Sequence, residues 1–233
     1  MDIDFLAFHD NNISAIEDIF RDICTTPVIP DGLVFDQKTV KGQKIKKDAD
    51  YEGIRIKCVG LLERSRIPMQ IDVGFGDAVY PVPDILDYPV FLDFPAPILK
   101  GYPPESVISE KFEAMVKLGL LNSRMKDFYD IWLLIRQFDF DGLRLTESLR
   151  QTFDRRKTEF PIGKQLFVPE IYDEGSNRDP LWKAFIQKLE LKNIPGHLSL
   201  VVNEIEAFLL EPIESILTGD TFNKKWVSPG PWA

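Results

Sequence analysis

The chain has 233 residues, 44% hydrophobic and 28% charged, with a formal net charge of -9. No apolar run approaches the roughly 20 residues of a membrane-spanning helix, and the acidic balance disfavours a general nucleic-acid coat protein. Two cysteines and two histidines leave no disulfide framework, no His-rich zinc site and no His-based triad. Without a basic-then-apolar leader at the N-terminus, a cytoplasmic location is expected.

Asp2 to Phe8 alternates acidic and apolar residues, a period of two that predicts a strand. Ile13, Ile16, Phe20 and Ile23 recur at helical spacing, with Ser14 and Glu17 as a capping-box-like pair. Lys38, Lys41, Lys44, Lys46 and Lys47 fall close together, near Arg55 and Lys57; this is either a solvated loop or a phosphate-facing edge. Tyr51 to Val59 and Met69 to Phe75 predict two strands, antiparallel across Arg64-Ser65-Arg66. Dense prolines from Pro81 to Pro104 predict an extended, loop-rich segment. Helices follow over 104–118, stopped by Gly119, and over 123–138, then over 143–155, 179–189 and 197–210. The last residues, with Trp226 and a terminal Pro-Trp-Ala, have no clear periodicity. Strands first and helices later predict an α+β fold with a helical C-terminal region.

Chemistry concentrates at a few positions. Asp2 and Asp4 lie two apart in a strand, so both carboxylates project from one face. Like charges held so close call for a cation, and Mg²⁺ prefers carboxylate oxygens while keeping sites for phosphates. Asp72 sits in an otherwise apolar strand and should be partnered, since an isolated buried charge is very costly. Asp77 follows just past the strand. In the helix over 104–118, Val107, Ile108, Phe112, Ala114, Met115 and Leu118 form an apolar face opposite Ser109, Glu110, Glu113 and Lys117. Lys111 falls in the middle of that apolar face. It must snorkel, pair with a carboxylate or contact a phosphate. In the next helix Met125, Phe128, Ile131, Trp132 and Ile135 form the buried stripe. Asp130 falls on its polar side and Asp127 on the boundary, with Lys126 beside them; either acid is a solvated surface group or a partner for Lys111.

Four segments together resemble the AbiEii/AbiGii-type nucleotidyltransferases of the polymerase-β-like superfamily: Asp2-Ile3-Asp4-Phe5-Leu6, Gln70 to Asp77, Ser109-Glu110-Lys111-Phe112-Glu113-Ala114, and Asn122 to Asp130. Thr152 to Thr158 extends the likeness into the helical half. The resemblance implies a mixed sheet flanked by helices over 1–138, N-terminally incomplete, and a mainly helical region over 139–233. It implies transfer of an NMP from an NTP to an acceptor, tRNA among them, by a toxin paired with an antitoxin protein. Asp2, Asp4 and Asp72 would hold Mg²⁺ in a two-metal type of site, Asp72 either completing that site or activating the acceptor hydroxyl. Lys111 would contact the NTP phosphates, and Asp127 and Asp130, with Lys126 beside them, would support Lys111 or assist catalysis. Family members carry a Gly-Ser or Gly-Gly turn upstream of the Asp-x-Asp to cradle the triphosphate, and only Met1 precedes Asp2 here. A catalytically inactive binding module of the same fold, acting through a protein partner, is therefore the alternative expectation.

Overall fold

The protein is described from a computed structural model, which covers the chain except residues 1, 9, 49–50, 164–166 and 191–192; the side chains of residues 2, 46–48, 51–52 and 169–170 also lie outside the described set. It is α+β: a four-stranded mixed sheet with helices, followed by a helical C-terminal region. Contacts divide it into two compact units, Met1–Asp77 and Ala78–Ala233.

The first unit holds β1 (Asp2–Ala7), α1 (Ile13–Thr25), β2 (Leu33–Asp48), β3 (Tyr51–Leu62) and β4 (Ser65–Phe75), in sheet order β1-β4-β3-β2. β1 runs parallel to β4, while the other pairings are antiparallel. Ile54, Ile56, Ile71 and Val73 alternate along β3 and β4 to one face, where they pack with Ile16 of α1 and Val40 of β2. The close approach of α1 requires Gly42: a Cβ there would stand 2.7 Å from Ile13 Cγ2 and 3.3 Å from Glu17 Cγ. Glu17 accepts the Gly42 N–H at 2.7 Å and pairs with Arg21 at 2.7 Å, and these contacts hold its carboxyl below the usual range.

Two expectations are corrected here. The N-cap of α1 is Asn12, whose side chain accepts from Ala15 N, because Glu17 is drawn to β2 rather than back to the helix start. The lysine-rich stretch is not a loop but the long edge strand β2, where lysines discourage further strand pairing.

The second unit opens with a two-stranded hairpin, β5 (Asp84–Asp87) and β6 (Ile98–Gly101), inside the proline-rich segment expected to lack regular elements. α2 (Pro104–Leu118), α3 (Met125–Gln137), α4 (Gly142–Arg156), the short α5 (Pro169–Tyr172), α6 (Asp179–Lys188) and α7 (Leu198–Thr218) follow, with β7 (Phe140–Asp141) paired to β8 (Lys225–Trp226). Ile108, Phe112, Phe128, Ile131, Leu149, Trp182, Ile205 and Phe208 fill one core. The aperiodic tail belongs to that core: Trp226 Nε1 donates to the Ile135 carbonyl and Trp232 Nε1 to the Phe208 carbonyl, at 2.7 and 2.8 Å. Among the described residues no helix is long and apolar enough to cross a membrane.

Candidate active site

In the first unit, β1 and β4 bring the strand carboxylates side by side. Parallel pairing sets Asp4 against Asp72, and β4 is itself paired so that Asp72 faces Arg55 on β3. Direct cross-strand partners share a face, so Asp4, Asp72 and Arg55 form one row across three strands. That face is opposite to the one covered by α1. Asp2 occupies the backbone register position across from Gln70, and its side chain lies outside the described residues. Asp77 lies beyond the end of β4, as expected.

Asp72 is buried, 6% exposed. Arg55 holds it with two parallel bonds, Nε to Oδ1 at 2.8 Å and Nη2 to Oδ2 at 2.7 Å. A bidentate guanidinium fixes the plane of a carboxylate. The partner demanded by a carboxylate in an apolar strand is thus, first of all, an arginine from the neighbouring strand. A carboxylate offers about four lone-pair positions, so both Asp72 oxygens retain acceptor capacity. With Asp4 alongside, the donor set is of the kind Mg²⁺ takes, one or two carboxylates with the remaining positions left to water and phosphate. Among the described residues no group of three or more His, Cys, Asp or Glu side chains is arranged around a metal position.

In the second unit, Lys111 of α2 meets both acids of α3. Its Nζ lies 3.1 Å from Asp127 Oδ1 and 2.7 Å from Asp130 Oδ2. Burial pulls its ammonium pKa down, but the two carboxylates outweigh this and the pKa ends above its ordinary value. Lys126 adds a second cation on Asp130, and Arg124 one on Asp127. Asp127 is buried rather than marginal, and the Asp130 side chain is only 17% exposed. Both are partners of Lys111, not solvated acids.

The opposite side of α2 corrects the helical projection. Ser109 and Glu113, placed on its polar face, are 0% and 1% exposed. They are buried because α4 supplies polar partners: Ser109 Oγ donates to Ser148 Oγ at 2.9 Å, and Arg156 Nη1 donates to Glu113 Oε2 at 2.8 Å. Thr158 completes the coordination of Glu113, and Arg156 also reaches Glu110 at 3.3 Å. So Glu110 and Glu113 tie α2 to the end of α4, while Lys111 ties it to α3. Arg55, Arg124, Ser148, Arg156 and Thr158 are residues that sequence reasoning did not assign to these clusters. The signal for Arg156 and Thr158 was the run Thr152 to Thr158 that extends the family likeness.

A family model described as nucleotidyl transferase AbiEii toxin, type IV toxin–antitoxin system, matches residues 1–209. The chain belongs to the AbiEii family. Neither curated proteins nor solved structures yield a match. The AbiEii match spans both compact units, from the Asp4–Asp72–Arg55 row through most of α7. AbiEii proteins are nucleotidyltransferase toxins, and the match includes every segment on which the resemblance was based.

Proposed function

We propose that this chain is a metal-dependent nucleotidyltransferase that moves an NMP from an NTP to a nucleic-acid acceptor, as the cytoplasmic toxin of a type IV toxin–antitoxin pair. The observation that carries this reading is the register of β1 on β4, which sets Asp4 beside Asp72 on the sheet face opposite α1. Asp4 and Asp72 hold Mg²⁺, with Asp2 as the third carboxylate implied by the Asp-x-Asp motif. The bound ion supplies charge neutralisation on the NTP phosphates, which is most of what phosphoryl transfer asks of an enzyme. Arg55 is a positioning residue: its bidentate contact fixes the orientation of Asp72. The alternative role for Asp72, in place of completing the metal site, is to accept the acceptor hydroxyl's proton. Lys111 contacts the triphosphate, and Asp127 and Asp130 keep it charged and oriented, with Lys126 balancing Asp130. Residues 1–138 supply the nucleotidyltransferase part and 139–233 its helical support.

A second reading is an inactive module of this fold that acts through a protein partner. One observation favours it: Lys111 already has two carboxylates within salt-bridge distance. Calorimetric titration of NTP in the presence of Mg²⁺ separates the two. Micromolar, Mg²⁺-dependent binding that weakens in Asp72→Asn is expected; no heat with any of the common NTPs supports the inactive module.

A further inference from the structure

The sheet face that carries Asp4 and Asp72 changes sign across its width. Following the register from Asp72 leads to Arg55 on β3, and from Gln70 to Lys57 on β3 and Lys41 on β2. Two-residue alternation along β4 adds Arg66, paired with Leu61 of β3, to the same face. Lys41, Lys57 and Arg66 are exposed and have no salt bridge among the described residues, although Lys41 lies within electrostatic reach of Glu17 on α1; Arg55, by contrast, is committed to Asp72. At about 3.4 Å per residue along a strand and about 4.8 Å between strands, Lys57 lies roughly 8 Å from Asp72 and Arg66 about 20 Å. Between them is a shallow depression of about 380 Å³ lined by Thr39, Lys57, Val59, Pro68 and Gln70. Asp36, opposite Val59, is the acid on its β2 side, and its carboxylate accepts the Lys38 N–H. In a chain of net charge -9, three exposed cations on one face beside a pair of carboxylates are not an average surface.

We infer that Lys41, Lys57 and Arg66 form a track for the phosphates of a single-stranded nucleic acid, leading its terminal hydroxyl toward Asp4 and Asp72. The inference deepens the proposed function and rests on it for the role of the carboxylates. Sequence-tolerant proteins follow a single strand with a positively charged groove along its backbone, and here Lys57 and Lys41 stand side by side at one end of the depression with Arg66 further along β4. A track that begins one strand away from the carboxylates holds a strand by its end rather than its middle. Arg55 stands between the acidic and basic halves, so it keeps Asp72 from meeting the incoming phosphates unscreened.

The test is equilibrium binding of a short labelled single-stranded RNA to the full chain over a range of salt, without NTP or Mg²⁺. The triple variant Lys41→Gln/Lys57→Gln/Arg66→Gln is compared with a control, Lys188→Gln/Lys225→Gln, that removes exposed lysines of the second unit. Each neutralised phosphate contributes about 0.7 to the salt slope for single strands, so the triple variant should flatten it by about 2 and weaken binding roughly tenfold to a hundredfold near 0.1 M salt. Circular dichroism melting checks that both variants fold. Wild-type protein that binds no RNA, a triple variant with unchanged slope, or an equal loss in the control each overturns the track. Because no transfer is read, the track stands if the chain binds as described yet fails to transfer. It falls alone if transfer is intact and the triple variant binds as wild type.

Discussion

Arg55→Met tests the carboxylate row without touching a carboxylate. Asp72 loses a bidentate partner while it stays buried, with its side chain 8% exposed. Removing one partner of a buried pair costs about 3–5 kcal/mol. Arg55 is itself 30% exposed, so water recovers part of this, and about 2 kcal/mol is the expected loss. For a unit the size of Met1–Asp77, that lowers the melting temperature of the first unit by roughly 8–16 °C. The loss should be partly reversible by metal. If Asp4 and Asp72 form a divalent-cation site, Mg²⁺ replaces the missing positive charge, and at ten times its dissociation constant it restores about 1.4 kcal/mol. The assay is thermal melting of wild type and Arg55→Met with and without Mg²⁺, with K⁺ matched for ionic strength. Mg²⁺ should raise the variant's midpoint by several degrees more than the wild type's. If Mg²⁺ moves both proteins equally, it does not take the place of Arg55 beside Asp72 and the metal site is wrong.

Lys111→Met should lower stability by about 1–2 kcal/mol, since Asp127 and Asp130 retain Arg124 and Lys126. If Lys111 also contacts the triphosphate, NTP affinity should fall on the order of tenfold to a hundredfold, a loss that Asp127→Asn should share only in part because Asp130 still holds the lysine; equal NTP binding by wild type and Lys111→Met would leave the lysine purely structural. Asp179 accepts the Leu198 N–H at the start of α7 and pairs with Lys183 at 2.7 Å; burial raises its pKa, but these partners outweigh that and hold it below the ordinary value. A depressed carboxyl contributes stability above its unfolded pKa and loses it as pH falls through the folded one. Acid unfolding followed by far-ultraviolet circular dichroism should therefore show a stability loss below about pH 4 that is smaller in Asp179→Asn. Gly42→Val should cost about 1–3 kcal/mol in a urea melt, because its Cβ meets Ile13 at 2.7 Å; an unchanged midpoint would mean that α1 is not seated on the sheet as described.

What could be read in the sequence depended on how local the cause was. α2 begins at Pro104 and ends before Gly119 because a first-turn proline and a stop glycine are local signals. The strand holding Asp72 and the antiparallel partner before it were legible from alternation alone. β2 was not, because its register shifts between Asp36 and Lys41 and breaks the period of two. Ser109 and Glu113 read as a solvated face because their partners, Ser148 and Arg156, lie on a helix far along the chain. The same limit hid Arg55: a carboxylate in an apolar strand announces that it has a partner, but only register says which one. The C-terminal tryptophans were opaque for a different reason. A two-residue strand has no period to detect, and their burial comes from packing on Phe208, Phe222 and one another.

The central claim is tested most directly by the label that this chain transfers. Incubated with Mg²⁺, each α-labelled NTP in turn and total RNA, wild-type protein should attach label to RNA. Attachment should stop with a chelator, and it should fall by several orders of magnitude in Asp4→Asn and Asp72→Asn. Label attached equally by Asp72→Asn and wild type, or no attachment with any NTP, would contradict the account.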